Sequence, residues 1–247
     1  MTEINQVSLT ASETVPTAGR KRLVIVGATG MVGGYALRFA LENPGVGSVM
    51  SIGRRKLDIS HPKLKQVLHQ DFADCSALAE PLSHQDAVIF CLGTYTGVVT
   101  DAELRKITVD YTVEFARVLR RSSPDAAFSF LSGSGADETG RSRMPFARYK
   151  GQAETALFLA GITHVYIFRP AYIYPVEPRK EPNFKYRLMR KIYPVFRTLF
   201  PDQVIRADDL AGAMVEVTLV GAGEHRGRVF ENRDIQAMAE SFQPPRQ

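Results

Sequence analysis

The chain has 247 residues, 45% hydrophobic and 23% charged. A chain of this length buries about 70% of its unfolded surface, which supports one sizeable core, and the composition excludes collagen, coiled coil and wholesale disorder. Its 31 basic and 26 acidic residues leave a net charge of +5, which admits nucleic acid, an anionic membrane or an anionic ligand without choosing among them.

The first 20 residues are rich in Ser and Thr and lack the charged start and apolar core of a secretory signal. They read as a flexible arm (1–20) ahead of a single domain (21–247). Arg20 to Val26 sets four apolar residues after a basic step, the mark of a buried parallel strand. Gly27 to Gly34 follow, then a helical pattern from Tyr35 to Leu41 that Asn43-Pro44-Gly45 stops. Val46 to Ile52 reads as a second strand leaving through Gly53-Arg54-Arg55, and Lys65 to His69 as a third leading to Asp71. Asp86 to Leu92 is a strand, Asp101 to Arg121 a long amphipathic helix, and Ala126 to Leu131 a strand. Pro145 to Ala160 is a helix with its proline in the first turn, and His164 to Phe168 a strand. This alternation predicts an α/β fold: a Rossmann-like, doubly wound parallel sheet. Residues 21–170 make the dinucleotide-binding core. Residues 171–247 make a small C-terminal extension on the substrate side, with a helix over Asp208 to Val220 and a short strand over Arg228 to Asn232.

No uninterrupted apolar run approaches the roughly 18 residues of a membrane helix. Two cysteines, Cys75 and Cys91, cannot build a disulfide framework and suit a reducing compartment, so a cytoplasmic location is expected. Cys91 reads as a core cysteine, and the five histidines show no metal spacing.

The informative segment is Gly27-Ala28-Thr29-Gly30-Met31-Val32-Gly33. Glycines at this GxxGxxG spacing, after a strand and before a helix, let backbone N–H groups approach a pyrophosphate at the positive end of the helix. The exit of the second strand separates the two dinucleotides. An acid there would accept from ribose hydroxyls; Arg54 and Arg55 suit a 2′-phosphate instead, favouring NADP(H) over NAD(H). Asp71, with Phe72 beside it, is placed to meet the adenine amino group.

In order along the chain, Gly27–Gly33, Gly53-Arg54-Arg55, Asp71-Phe72, Cys91-Leu92-Gly93-Thr94, Leu131 to Asp137, Lys150-Gly151-Gln152-Ala153-Glu154 and Phe168-Arg169-Pro170 resemble an atypical short-chain dehydrogenase/reductase. The likeness is to bacterial relatives of the Tat-interacting-protein type of NAD(P)-binding oxidoreductase. The resemblance spans about Arg22 to Met238. It implies a cofactor across the strand ends, with Leu92-Gly93-Thr94 passing under it and Pro170 bordering the nicotinamide. It also implies Lys150 as a ribose contact that lowers the pKa of a tyrosine four residues earlier, and a serine, Ser134 or Ser132, holding the substrate oxygen. The tyrosine is missing. Phe146 stands four residues before Lys150, and Tyr149 lies about 100° away around the helix. Tyr95, Tyr172 and Tyr174 are expected in loops that could reach the crevice, with no role assigned.

Two functions therefore stand. One is an oxidoreductase on a small carbonyl or alkene, with Ser134 and Lys150 as candidate catalytic residues. The other is a non-catalytic NADP(H)-dependent sensor that engages a protein partner. Ser132-Gly133-Ser134 does not make a GxSxG nucleophile elbow. The stretch 179–197 gathers seven basic residues on a partly helical pattern that Pro194 interrupts. A weak membrane-surface contact through 179–200 is the sharp reading and a solvated helix face the bland one; no nucleic-acid module is visible.

Overall fold

The computed structural model describes residues 19–94, 97–177, 198–221 and 228–242. Most of the expected arm, Tyr95 and nearly all of the basic stretch at 179–200 lie outside the described residues.

Seven parallel strands form the main sheet: β1 (Lys21–Val26), β2 (Val46–Gly53), β3 (Leu64–Leu68), β4 (Ala87–Phe90), β5 (Ala127–Leu131), β6 (Val165–Arg169) and β9 (Val229–Glu231). Their order is β3-β2-β1-β4-β5-β6-β9. The chain thus builds outward from β1 in one direction, returns, and builds outward from β4 in the other. The switch point lies between β1 and β4, and ligands of such sheets sit there, outside the carboxyl ends of the strands.

Apolar residues run consecutively in the central strands because both faces are covered. Leu23 and Ile25 of β1 join one core layer, and Val24 and Val26 the other. The first layer holds helices α1 (Met31–Glu42), α5 (Ala207–Val220) and α6 (Asn232–Phe242) through Leu37, Met214 and Ile235. The second holds α3 (Tyr111–Ser122) and α4 (Pro145–Leu159) through Phe115, Leu119 and Leu157. Phe90, Phe115 and Phe128 cluster in this second layer, Phe90 tilted against Phe115 with ring centroids 5.3 Å apart and stacked on Phe128 at 5.6 Å.

Several elements differ from the sequence reading. Helix α1 begins at Met31, not Tyr35, and takes Gly33 and Gly34 into its first turn. Glycine costs about 1 kcal/mol in a helix, which hid the start, but a close backbone contact at Gly33 requires it. The long helix from Asp101 is broken into α2 (Asp101–Arg105), a π-turn at Lys106–Asp110, and α3. Thr100 starts it with a capping box: Glu103 N–H donates to Thr100 Oγ1 at 3.3 Å, and Thr100 N–H to Glu103 Oε2 at 3.2 Å. The strand from Asp86 ends at Phe90, so Cys91 and Leu92 are loop. After Pro170 the chain divides. β7 (Tyr172–Tyr174) and β8 (Val204–Arg206) form a small parallel pair past the carboxyl end of β6, whereas α5, β9 and α6 complete the main layers. Three-residue strands are too short to show a period, and proline-rich flanks masked β7.

Candidate cofactor-binding site

The glycine-rich turn closes on itself. Gly30 N–H donates to Gly27 O at 2.9 Å, and Gly34 N–H to Gly30 O at 3.0 Å, the first bond of α1. Gly27 has φ +88°, and a Cβ there would stand 2.9 Å from the carbonyl carbon of Cys91. A Cβ at Gly33 would stand 2.4 Å from Gly27 O. The turn is therefore pressed against the β4 exit on one side and its own helix on the other, and only glycine fits both places. Gly30 caps α1 without a side-chain bond, and no acid lies in the first turn. The N–H groups of Met31, Val32 and Gly33 have no acceptor within the helix, as at any helix start. These donors, with the helix dipole, suit a diphosphate.

At the exit of β2, the Arg55 guanidinium reaches back so that Nη2 lies 3.5 Å from Thr29 Oγ1 of the turn. Both Arg54 and Arg55 are exposed. The Arg54 carbonyl accepts from the Gln70 side chain at 2.8 Å, which ties the β2 and β3 exits together. Asp71 Oδ1 accepts from Ala73 N–H at 3.0 Å, so this carboxylate caps its own turn. Phe72 turns its side chain inward. Its ring lies in the core, edge-on to His69 at 5.1 Å and near Tyr111 at 6.0 Å, and only its backbone is left to face a ligand. The side chain of Val32 is likewise a core group, leaving its N–H as its contribution.

On the other side of the switch point stands Lys150, on the α4 face turned to the sheet. It is buried, donates to Leu131 O at 2.7 Å and lies over the Phe130 ring at 4.5 Å. Burial pushes its amine down to about 8, against the pull of the Glu154 carboxylate, which raises it. Burial pushes the Cys91 thiol up to about 12, so it is a neutral group beside the lysine and no redox nucleophile. Gly27 packs on Cys91 and Leu92, Lys150 donates to Leu131 O, and Ser132 N–H donates to Phe168 O and Ser134 N–H to Pro170 O, both at 2.8 Å. The exits of β1, β4, β5 and β6 thus form one continuous floor.

Two serines were open on sequence, and the structure separates them. Ser132 is buried, and its hydroxyl is spent on Glu154 Oε1. Ser134 is exposed at the crevice. Tyr149 points away: it is buried beside Leu104 and Val109, and its hydroxyl donates to Asp101 Oδ2 at 2.6 Å. Phe146 turns its ring onto Gly133, where a Cβ would stand 2.6 Å from the ring tip. An apolar ring and a glycine are fitted to one another where the resemblance implies a phenol.

Sequence reasoning used Glu154 and Arg169 only as parts of the motifs that carry the resemblance, and missed what they do. Glu154 is fully buried and takes bonds from Ser132 and from both Nε and Nη2 of Arg169. Arg169 also pairs with Glu138 at 2.5 Å and Glu231 at 3.1 Å. These partners, Glu154 first, hold the guanidinium well above its ordinary value. The available signal was a carboxylate four residues past Lys150, on the same inward face of the helix.

Residues 23–155 match the NAD dependent epimerase/dehydratase family, and the chain belongs to it. Its Rossmann-like, nicotinamide-dinucleotide-binding fold is that of the atypical short-chain dehydrogenase/reductase family. Protein fmp52-1, mitochondrial, of Aspergillus terreus is 28% identical over 165 residues, 65% of this chain and 70% of that one. Protein FMP52, mitochondrial, of Candida albicans is 26% identical over 163 residues, 64% of this chain and 69% of that one. The chain spans about two thirds of the length of the curated relatives it matches. Among solved structures, the Bordetella bronchiseptica enzyme WbmG in complex with NAD superposes with a TM-score of 0.64 at 14% identity, over 92% of this chain and 80% of that one. A double mutant of DesIV, the dTDP-glucose 4,6-dehydratase of Streptomyces venezuelae with NAD bound, superposes with a TM-score of 0.63 at 17% identity, over 89% and 80%. These distant likenesses carry the fold.

The expected cytoplasmic location is corrected by the relatives, which are named as mitochondrial proteins. Two cysteines argue against a disulfide framework; they do not distinguish one reducing compartment from another.

Proposed function

We propose that the chain is an NADP(H)-dependent oxidoreductase acting on a small carbonyl or alkene. The carrying observation is at the exit of β2. Arg54 and Arg55 stand where an acid would receive ribose hydroxyls, and Arg55 already reaches toward Thr29 of the glycine-rich turn. A planar guanidinium suits a 2′-phosphate. The N–H groups of Met31, Val32 and Gly33 would hold the diphosphate, and Asp71 the adenine amino group. Leu92, Gly93 and Thr94 would line the path toward Lys150, and Pro170 the far edge. Bound NADPH supplies a hydride. The Lys150 ammonium would hold a ribose hydroxyl, and the exposed Ser134 hydroxyl the substrate oxygen. Phe146 has no proton to give, so the proton for that oxygen comes from solvent.

The test is NADPH consumption by the purified chain with a panel of aldehydes, ketones, quinones and activated alkenes. Turnover that falls at least about a hundredfold on Lys150→Ala is expected, in the range of a lost catalytic group. A panel that leaves NADPH untouched sinks this reading.

A second reading rests on the fitted pair of Phe146 and Gly133: NADP(H) is bound without turnover and signals to a protein partner. The two readings part on Phe146→Tyr, which restores a phenol. Turnover by the natural chain supports the first. Tight NADPH binding, with turnover appearing only in the variant, supports the second.

A further inference from the structure

The mechanism above uses Lys150 but leaves the charge beneath it unexplained. Glu154 lies one helical turn past Lys150 and has no exposed surface. A lone buried carboxylate is costly, so such groups are held by partners. Here the partners come from two neighbouring strand ends: Ser132 beyond β5 and Arg169 at the end of β6. Arg169 extends the frame to Glu138, in the loop after Ser134, and to Glu231 of β9. The Lys150 amine is held by the Leu131 carbonyl and the Phe130 ring, and the Glu154 carboxylate, buried one turn along the same face of the helix and bound by Arg169, acts on it through its charge. On the outer face of the helix, Tyr149 is tied to Asp101 and turned away from this cluster.

We propose that Glu154 is a positioning residue for the cofactor site: its buried carboxylate keeps Lys150 an ammonium and fixes the Ser132–Ser134 turn against it, while Arg169 shares and limits that charge. This rests on the NADP(H) reading only for its consequence in binding; the electrostatic part stands by itself. Without Glu154, burial favours the neutral amine, which cannot donate to a ribose hydroxyl as an ammonium does. With Glu154 but without Arg169, the carboxylate has Lys150 as its main cation, and the ammonium is held more firmly.

The test is a titration of the Lys150 side chain by 13C NMR of the chain labelled at lysine Cε, with the signal assigned through Lys150→Arg. The natural chain is expected to show a midpoint near 8. Glu154→Gln is expected to lower it by about one unit or more, and Arg169→Gln to raise it, in the range of a single close charge. Should one variant fail to fold, the sign of the other decides. Midpoints unchanged in the folded variants overturn the proposal, as does a shift of the wrong sign. The same series is then read as NADPH affinity between pH 6 and 10. Affinity is expected to fall through the Lys150 midpoint of each variant, and in Lys150→Arg to show no fall across this range. Shifted NMR midpoints in a chain that binds no NADPH at any pH would leave the electrostatic role intact and overturn the NADP(H) reading instead.

Discussion

The crevice has two halves that hold charge in opposite ways. On the β1–β2 side, Arg54 and Arg55 are exposed, and Arg55 makes one long contact to Thr29. On the β5–β6 side, Arg169 is 13% exposed and bound to three carboxylates, one of them fully buried. An exposed guanidinium with little bound to it is available to a ligand. A half-buried one bound on three sides is already spent on holding the fold. The +5 net charge of the chain says nothing of this difference. Where each charge is desolvated decides whether it recognises something or supports something.

Glycine sharpens the contrast, and here the largest effect is expected. Gly53 closes β2 with nothing within 4 Å of a Cβ, whereas a Cβ at Gly151 would stand 2.0 Å from Asp137 O. The obstacle is backbone, and that backbone is anchored: Asp137 N–H donates to Ala147 O at 2.9 Å, and the Asp137 carboxylate accepts from Thr139 and Ser142. The loop cannot yield without loosening its seat on α4. Gly151→Ala is expected to cost about 3 kcal/mol or more of unfolding free energy, and Gly53→Ala less than about 0.5 kcal/mol. Urea unfolding of the two variants measures both. Equal costs would mean that the 137–142 loop moves freely and that the β5–β6 side is not the rigid half.

The two halves also differ in how far they could be read from sequence. The β1–β2 side is local: strand, glycine turn, helix and basic exit follow one another within 35 residues from Lys21 to Arg55, and the spacing alone predicts the strand–turn–helix that the structure shows. The β5–β6 side is assembled from positions 132, 138, 150, 154, 169 and 231, which meet only once the sheet has formed. Lys150 and the missing tyrosine were legible through the resemblance, because they share one helix. Glu154 was legible as a letter and not as a buried ion, since nothing in its neighbours announces Arg169. The direction of the Phe72 ring was hidden for a related reason: an aromatic residue beside a candidate ligand contact reads the same whether it faces the crevice or the core.

Lys150 tests whether the closed half trades stability for its task. Its amine ordinarily titrates at 10.5 and here at about 8, chiefly through burial. Below pH 8 the lysine is charged in both folded and unfolded chains, and the folded one carries the full cost of a buried ammonium. Between about 8 and 10.5 the folded chain gives up the proton first, so this cost fades as pH rises. At 1.36 kcal/mol per unit, the shift is worth about 3 kcal/mol; losing the bond to Leu131 takes back about 1–2 kcal/mol. Lys150→Met is therefore expected to raise stability by about 1–2 kcal/mol at pH 7 and to lose that advantage by pH 10.5, while dinucleotide binding falls. Denaturant unfolding at the two pH values checks it. A variant less stable at pH 7 would show that Leu131 and Glu154 more than offset the burial, and that the closed half is optimised for the fold.

Arg55 is the corresponding test of the open half, with the smallest effect. Because it is exposed and reaches Thr29 only at 3.5 Å, removing it leaves no buried charge behind and should not move stability measurably. Its contribution appears only when an anion arrives. Arg55→Gln is expected to weaken NADPH binding about tenfold, the worth of one charge-assisted contact in a wet site, and to leave NADH affinity unchanged. The NADPH difference should shrink in 0.5 M salt, because screening acts on exposed charge. Calorimetry with both cofactors separates the outcomes. An equal loss for NADPH and NADH would mean that Arg55 braces the glycine-rich turn through Thr29, in which case the two halves use arginine for the same purpose and differ only in burial.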